Sequence, residues 1–150
     1  MLIVKNGDVL KATENIICHQ VNPDGVMGGG LALAIARKYP NCLKEYKEFC
    51  ERYKFNYEVL KSLVMAVRIN DNQVIANCFT QDPDFNTDYE VLREAFKEIL
   101  WYCREEKKTV AIPYKYGCGI ANGNWETVTE ILEELSDMYQ VDINIYKLED

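Results

Sequence analysis

Twice along this chain a short apolar run passes through a cluster of glycines into an amphipathic helical pattern. The first unit runs from Ile16-Ile17-Cys18 through Gly25-Val26-Met27-Gly28-Gly29-Gly30 into a helix of roughly Leu31 to Tyr39. The second runs from Val110-Ala111-Ile112 through Gly117-Cys118-Gly119-Ile120-Ala121-Asn122-Gly123 into a helix starting near Trp125. Strand–loop–helix units of this kind build α/β domains, and their loops lie at the carboxyl ends of the strands, where ligands bind. Glycine lets the backbone approach a ligand closely, and successive N–H groups then point at an anion. Two such loops on one domain predict a diphosphate gripped from both sides. The competing reading is that the glycines only permit tight turns. Neither loop is a GxGxxG fingerprint or a GxxxxGK[ST] phosphate loop, so ordinary dinucleotide and NTPase readings have little support.

The remaining elements fall around these units. Leu2 to Lys5 and Asn15 to Val21 read as strands, and Pro40 ends the first helix, with Asn41 available to cap the next. Leu43, Tyr46, Phe49/Cys50 and Tyr53 recur at helical spacing and predict a core-facing stripe. Leu63 to Ile69 and Val74 to Phe79 read as a hairpin with a longer loop, Asn70-Asp71-Asn72-Gln73. Thr87 with Glu90 predicts a capping box before a helix carrying Leu92, Ala95/Phe96, Ile99 and Cys103. Thr109 to Pro113 reads as a buried strand. Asn124 caps a last helix bearing Trp125, Val128, Ile131/Leu132 and Leu135, and Asp142 to Leu148 closes the chain as a strand. Alternating strands and helices with one hairpin predict a mixed sheet covered by helices on both faces, in one domain over residues 1–150.

Composition narrows the function. The net charge of −7 argues against a nucleic-acid-binding protein, which needs a basic face. An acidic surface still permits a nucleotide ligand held by oriented amides. Cys18, Cys42, Cys50, Cys78, Cys103 and Cys118 form no CxxC pair, so they read as free thiols in a reducing compartment, without a metal site. No run of about 18 apolar residues occurs, so no membrane partner is expected. The opening residues lack a signal-peptide pattern, which makes the cytoplasm the expected location.

Asn6-Gly7-Asp8-Val9, then Asn22 ahead of Val26-Met27-Gly28-Gly29-Gly30-Leu31-Ala32, then Ile112-Pro113 leading to Gly117-Cys118-Gly119, resemble a macrodomain over essentially the whole chain. The similarity is closest to the branch of the terminal ADP-ribose protein glycohydrolase and the ADP-ribose 1″-phosphate phosphatases. It implies a three-layer α/β/α fold with a mixed central sheet of about six strands. ADP-ribose or a derivative would be the ligand, with no cofactor. Asp8 would accept a hydrogen bond from the adenine amino group, with the Val9 backbone alongside. Asn22, Met27, Gly28, Gly29, Gly30 and Leu31 would line the diphosphate and outer ribose. Gly117, Cys118, Gly119, Ile120 and Ala121 would close over the phosphates, and Tyr146 and Leu148 would flank the adenine. His19, Asn22 and Asp24 are the catalytic candidates. Each has an ordinary structural alternative, as a strand histidine or as parts of the turn Asn22-Pro23-Asp24-Gly25.

The sequence departs from the glycohydrolase pattern at two places. Thr80-Gln81 stands where threonine-lysine is expected, and Ala121 stands where an aspartate is expected. Glutamine forms no Schiff base and alanine moves no proton, so a lysine-nucleophile mechanism is not expected. Near the cleft remain His19, Asn22, Asp24, Cys118 and Asp82. The retained histidine favours a hydrolase that positions a water, acting on ADP-ribose 1″-phosphate or on protein- or nucleic-acid-linked ADP-ribose. The alternative is a module that binds or sequesters ADP-ribose without turnover, and under either reading a monomer is expected.

Overall fold

The computed structural model describes residues 1–148; residues 149 and 150 of the expected domain lie outside it. Six strands form one sheet: β1 (Leu2–Asn6), β2 (Ile16–Val21), β3 (Val64–Asn70), β4 (Gln73–Phe79), β5 (Val110–Pro113) and β6 (Ile143–Lys147). Their order is β1-β6-β5-β2-β4-β3. Among the pairings of these described strands, β3–β4 is the antiparallel one. The mixed sheet is therefore as expected, but its hairpin is tighter. Asn70 and Gln73 belong to the strands and bond side chain to side chain at 2.8 Å, leaving two residues in the turn.

The helices are α1 (Gly30–Lys38), α2 (Pro40–Arg52), α3 (Tyr57–Leu60), α4 (Tyr89–Glu106) and α5 (Trp125–Tyr139). Alternation along the strands sends two sets of side chains to opposite faces. Cys18, Cys78, Ile112 and Ile145 pack with Leu92, Phe96, Val128 and Leu132 of α4 and α5. Ile17, Ile75, Phe79 and Ala111 pack with Ile35 of α1 and Cys42, Tyr46 and Cys50 of α2. Two apolar layers thus sandwich the sheet.

Three local expectations are corrected. Pro40 does not merely end α1; it occupies the first turn of α2 with Tyr39 as the flanking residue, so Asn41 is not a cap. Proline suits that place because its missing N–H would have had no helical partner. The buried stripe of α2 is Cys42, Tyr46 and Cys50, with Leu43 and Phe49 only partly buried and Tyr53 exposed. The cap of α4 is Asp88, which accepts from Val91 N–H at 3.3 Å. Thr87 is taken up elsewhere.

Candidate functional site

Strands β2 and β5 are neighbours, yet the chain leaves them towards opposite faces. After β2 it passes to α1 and α2, and after β5 it passes to α5 on the other side. Divergence of this kind opens a crevice at the carboxyl ends of the two strands. The crevice has a volume of about 590 Å³, within the range of a nucleotide-sized pocket.

Loop 1 (22–29) forms one wall. Asn22 shapes it: its Oδ1 accepts from Asp24 N–H at 2.9 Å and from the Tyr46 hydroxyl at 2.8 Å, and its Nδ2 donates to Val26 O at 3.0 Å. The chain then enters α1 through Gly29, in an extended conformation with no side-chain cap. The N–H groups of Gly30, Leu31 and Ala32 consequently find no acceptor among the described residues. They form the positive end of a nine-residue helix.

Loop 2 (114–124) forms the facing wall. Gly117 sits at φ +73°, and a Cβ there would meet Thr87 Oγ1 at 2.9 Å. At Gly123 a Cβ would lie 2.3 Å from Gly117 O. By contrast, a Cβ on Gly119 meets nothing within 4 Å, and one on Gly29 meets only the end of Ile120 at 3.5 Å. Gly117 and Gly123 serve the fold, while Gly29 and Gly119 face open space. The amides of Gly119 and Ile120 also lack acceptors among the described residues, so two sets of N–H donors face one cleft.

Thr87 locks loop 2. Its hydroxyl donates to Gly117 O at 2.6 Å and accepts from Gln20 Nε2 at 3.1 Å, while its N–H donates to Ala121 O at 3.0 Å. Gln20 also donates to Thr80 Oγ1 at 3.0 Å, which pairs with the Tyr116 hydroxyl at 2.7 Å.

Of the residues expected at the site, Asn22, Gly28, Gly29, Gly30, Leu31, Gly117, Gly119, Ile120 and Ala121 line the cleft, and His19 borders it. Val9 and Met27 are buried in the core instead. Cys118 turns back to donate to Tyr116 O at 3.3 Å, and burial raises its thiol pKa, so it is not an activated nucleophile. Asp24 is exposed and outside the lining. Asp8 and Tyr146 lie at the β1–β6 end, outside this cleft. Asp8 Oδ1 caps a single 3-10 turn, Val9–Lys11, by accepting from Leu10 N–H at 2.9 Å. The Tyr146 hydroxyl is held by the Glu14 carboxylate, and Leu148 follows β6 and is mostly exposed.

His19 departs most from its expected role. It is 2% exposed, and its Nε2 pairs with Asn77 Oδ1 at 2.6 Å. Asn77 Nδ2 donates to Met65 O, so the amide oxygen faces the ring and Nε2 carries the proton. Nδ1 is left without a partner. Burial lowers the pKa to about 4, against a smaller raising effect from Asn77. The imidazole is neutral at pH 7 and a poor base. No carboxylate lines the cleft among the described residues. Gln20, Val26, Gln81, Phe85, Tyr114 and Lys115 also line it and carried no signal strong enough to single them out by sequence, apart from Gln81.

Comparison with known proteins decides the family. The Macro domain family model matches residues 18–132. The chain is a macrodomain. It is 27% identical over 146 residues to an ADP-ribose 1″-phosphate phosphatase of Lodderomyces elongisporus, covering 89% of this chain and 87% of the relative. The ADP-ribose glycohydrolase OARD1 of Bos taurus is 26% identical, with 91% and 83% covered. Among solved structures, the macrodomain of Mycobacterium tuberculosis DarG superposes with a TM-score of 0.82 at 27% identity, covering 97% of each chain.

Proposed function

We propose that this macrodomain binds ADP-ribose and hydrolyses a derivative of it. The observation that carries the reading is the pair of unpartnered amide sets, at the start of α1 and in loop 2, facing each other across a nucleotide-sized cleft. Facing donors suit the two phosphates of a diphosphate, and amide dipoles bind them without cationic side chains. The names of the relatives support the same ligand and a hydrolytic outcome. Gly28 to Leu31 and Gly117 to Ala121 hold the diphosphate. Asp8, with its second carboxylate oxygen, takes the adenine amino group beside Val9, and Tyr146 and Leu148 flank the base. The Glu14 carboxylate holds the Tyr146 ring in advance, which reduces the ordering cost of binding.

A second reading is a binding module without turnover. The buried, neutral His19 and the cleft lining without a carboxylate favour it, as do Gln81 and Ala121 where a lysine and an aspartate are expected. Asn22 does not restore an acid–base pair, because its amide is spent on loop 1.

Calorimetric titration with ADP-ribose is expected to give a micromolar Kd, roughly −8 kcal/mol. Asp8→Ala is expected to weaken binding by about 1–3 kcal/mol. Turnover assays on ADP-ribose 1″-phosphate and on ADP-ribosylated protein or DNA separate the two readings. Absence of turnover on all of them selects the binding module, and no binding at millimolar ligand overturns both.

The loop 2 lock gives another expected result. Thr87→Val deletes the bonds to Gly117 O and from Gln20 and is expected to weaken ADP-ribose binding about tenfold, roughly 1.4 kcal/mol. Thr87→Ser keeps the hydroxyl and is expected to stay within about twofold of the parent. Equal affinities for both variants in the same titration would detach Thr87 from the phosphate site.

A further inference from the structure

The segment leaving β4 carries a residue with no part in the diphosphate grip. Phe85 sits at φ +65°, in the left-handed region that a bulky side chain enters only at a cost. The turn around it is well bonded. The Asp82 carboxylate accepts from the N–H groups of Asp84 and Asn86, both at 2.9 Å. Phe85 N–H donates to Asp82 O at 2.9 Å, Asp82 N–H donates to Asn86 O at 2.8 Å, and Gln81 Nε2 donates to Phe85 O at 3.2 Å. Glycine or asparagine would fit that position with less strain. The phenyl ring gains little from the core, since Phe85 is 44% exposed. It lines the cleft instead.

Strand order fixes its place along the ligand. Asp8 and Tyr146 stand at the β1–β6 end, and Phe85 follows β4 at the other, with β5 and β2 and their glycine loops between. A nucleotide with its adenine at the first end and its diphosphate between the loops presents its outer ribose towards Phe85. Val26 and Ile120, also in the lining, are mostly exposed, so apolar side chains wall this region. Among the described lining residues the cation is Lys115. Its ammonium lies 5.7 Å from the Tyr114 ring, and Tyr114 N–H is bonded to Tyr146 O, which puts the charge towards the adenine end. Asp82 and Asp84 share the turn with Phe85.

We propose that Phe85 is a specificity-determining residue that stacks on a planar, non-anionic group joined to the outer ribose, and that the cleft discriminates against a phosphate there. The inference rests on the ADP-ribose reading above and names the substrate class within it. An aromatic face attracts flat rings and flat cations. A phosphate needs cations or N–H donors and meets the hydrocarbon of Phe85, Val26 and Ile120 there. A pyridinium ring and a guanidinium both have the favoured chemistry.

The test is a titration of the parent, Phe85→Ala and Phe85→Tyr with four probes: ADP-ribose, ADP-ribose 1″-phosphate, NAD⁺ (a pyridinium on the outer ribose) and ADP-ribosylated agmatine (a guanidinium). The parent is expected to bind at least one planar probe about tenfold tighter than the 1″-phosphate. Phe85→Ala is expected to reduce that ratio to about twofold or less, and Phe85→Tyr to restore it. The tighter of the two planar probes identifies the source. Phe85→Gly relieves the backbone and is expected to raise the thermal midpoint, whereas a residue kept for packing would lower it. A parent that binds ADP-ribose but binds the 1″-phosphate as tightly as both planar probes overturns this inference alone, as does an unchanged ratio in Phe85→Ala. A parent that fails to bind ADP-ribose overturns the nucleotide reading and this one with it.

Discussion

Gly29→Val and Gly119→Val are each expected to weaken ADP-ribose binding by at least a hundredfold, about 2.7 kcal/mol, while leaving the protein folded. Neither position needs glycine for the fold. The backbone at Gly29 is extended, and an added Cβ there touches only the flexible end of Ile120. At Gly119 the added atom enters empty space. That space lies between the two sets of amide donors, so a branched side chain fills the volume the phosphates would occupy. Gly123→Ala is the internal contrast. Its Cβ would sit 2.3 Å from a backbone oxygen of loop 2, and a loss of about 3 kcal/mol of stability is expected. Thermal unfolding paired with ligand titration measures both quantities. Normal binding by the two valine variants would reduce these loops to turns.

The second large effect concerns acid. His19 is neutral in the folded protein, with a pKa of about 4, whereas a histidine in an unfolded chain titrates near 6.5. Above about pH 6.5 both states carry the neutral ring and the group contributes no pH dependence. As pH falls from there, the unfolded state takes up a proton that the folded state refuses until about pH 4. Stability attributable to this residue is therefore lost across that window, by about 3 kcal/mol in all. Urea unfolding of the parent and of His19→Gln at pH 7 and pH 4.5 measures it. The parent is expected to lose more stability than the variant on acidification. Equal losses would mean that the ring is hydrated or able to ionise in place.

Periodicity revealed the sheet, its hairpin and the two glycine loops because each is a local signal: an apolar run, a turn sequence, a cluster of residues without side chains. The misplaced features were decided by tertiary contacts. Thr87 and Asp88 both have capping chemistry, and the sequence does not show that the threonine hydroxyl is claimed by Gly117 O. The stripe of α2 differs at its ends, where Cys42 is buried in place of Leu43 and Tyr53 is exposed, while Tyr46 sits on it as expected and reaches Asn22 to shape loop 1. On sequence alone His19 is a catalytic candidate, because it matches a histidine of the family the chain resembles. Only the register pairing it with Asn77 on β4 shows that the ring points into the protein. Phe85 carried no signal at all, since nothing in Asp82-Pro83-Asp84-Phe85-Asn86 announces a left-handed phenylalanine at the mouth of a pocket.

Because the diphosphate would be gripped by main-chain amides, anchorage here is largely indifferent to side-chain identity. A substitution at Phe85, which lines the cleft but makes no part of that grip, can alter what is accepted at the outer ribose without loosening the hold on the nucleotide. Reactivity and retention are thereby separable traits in this fold. A domain of this design can exchange one chemistry for another, or give up chemistry altogether, and remain a working receptor throughout.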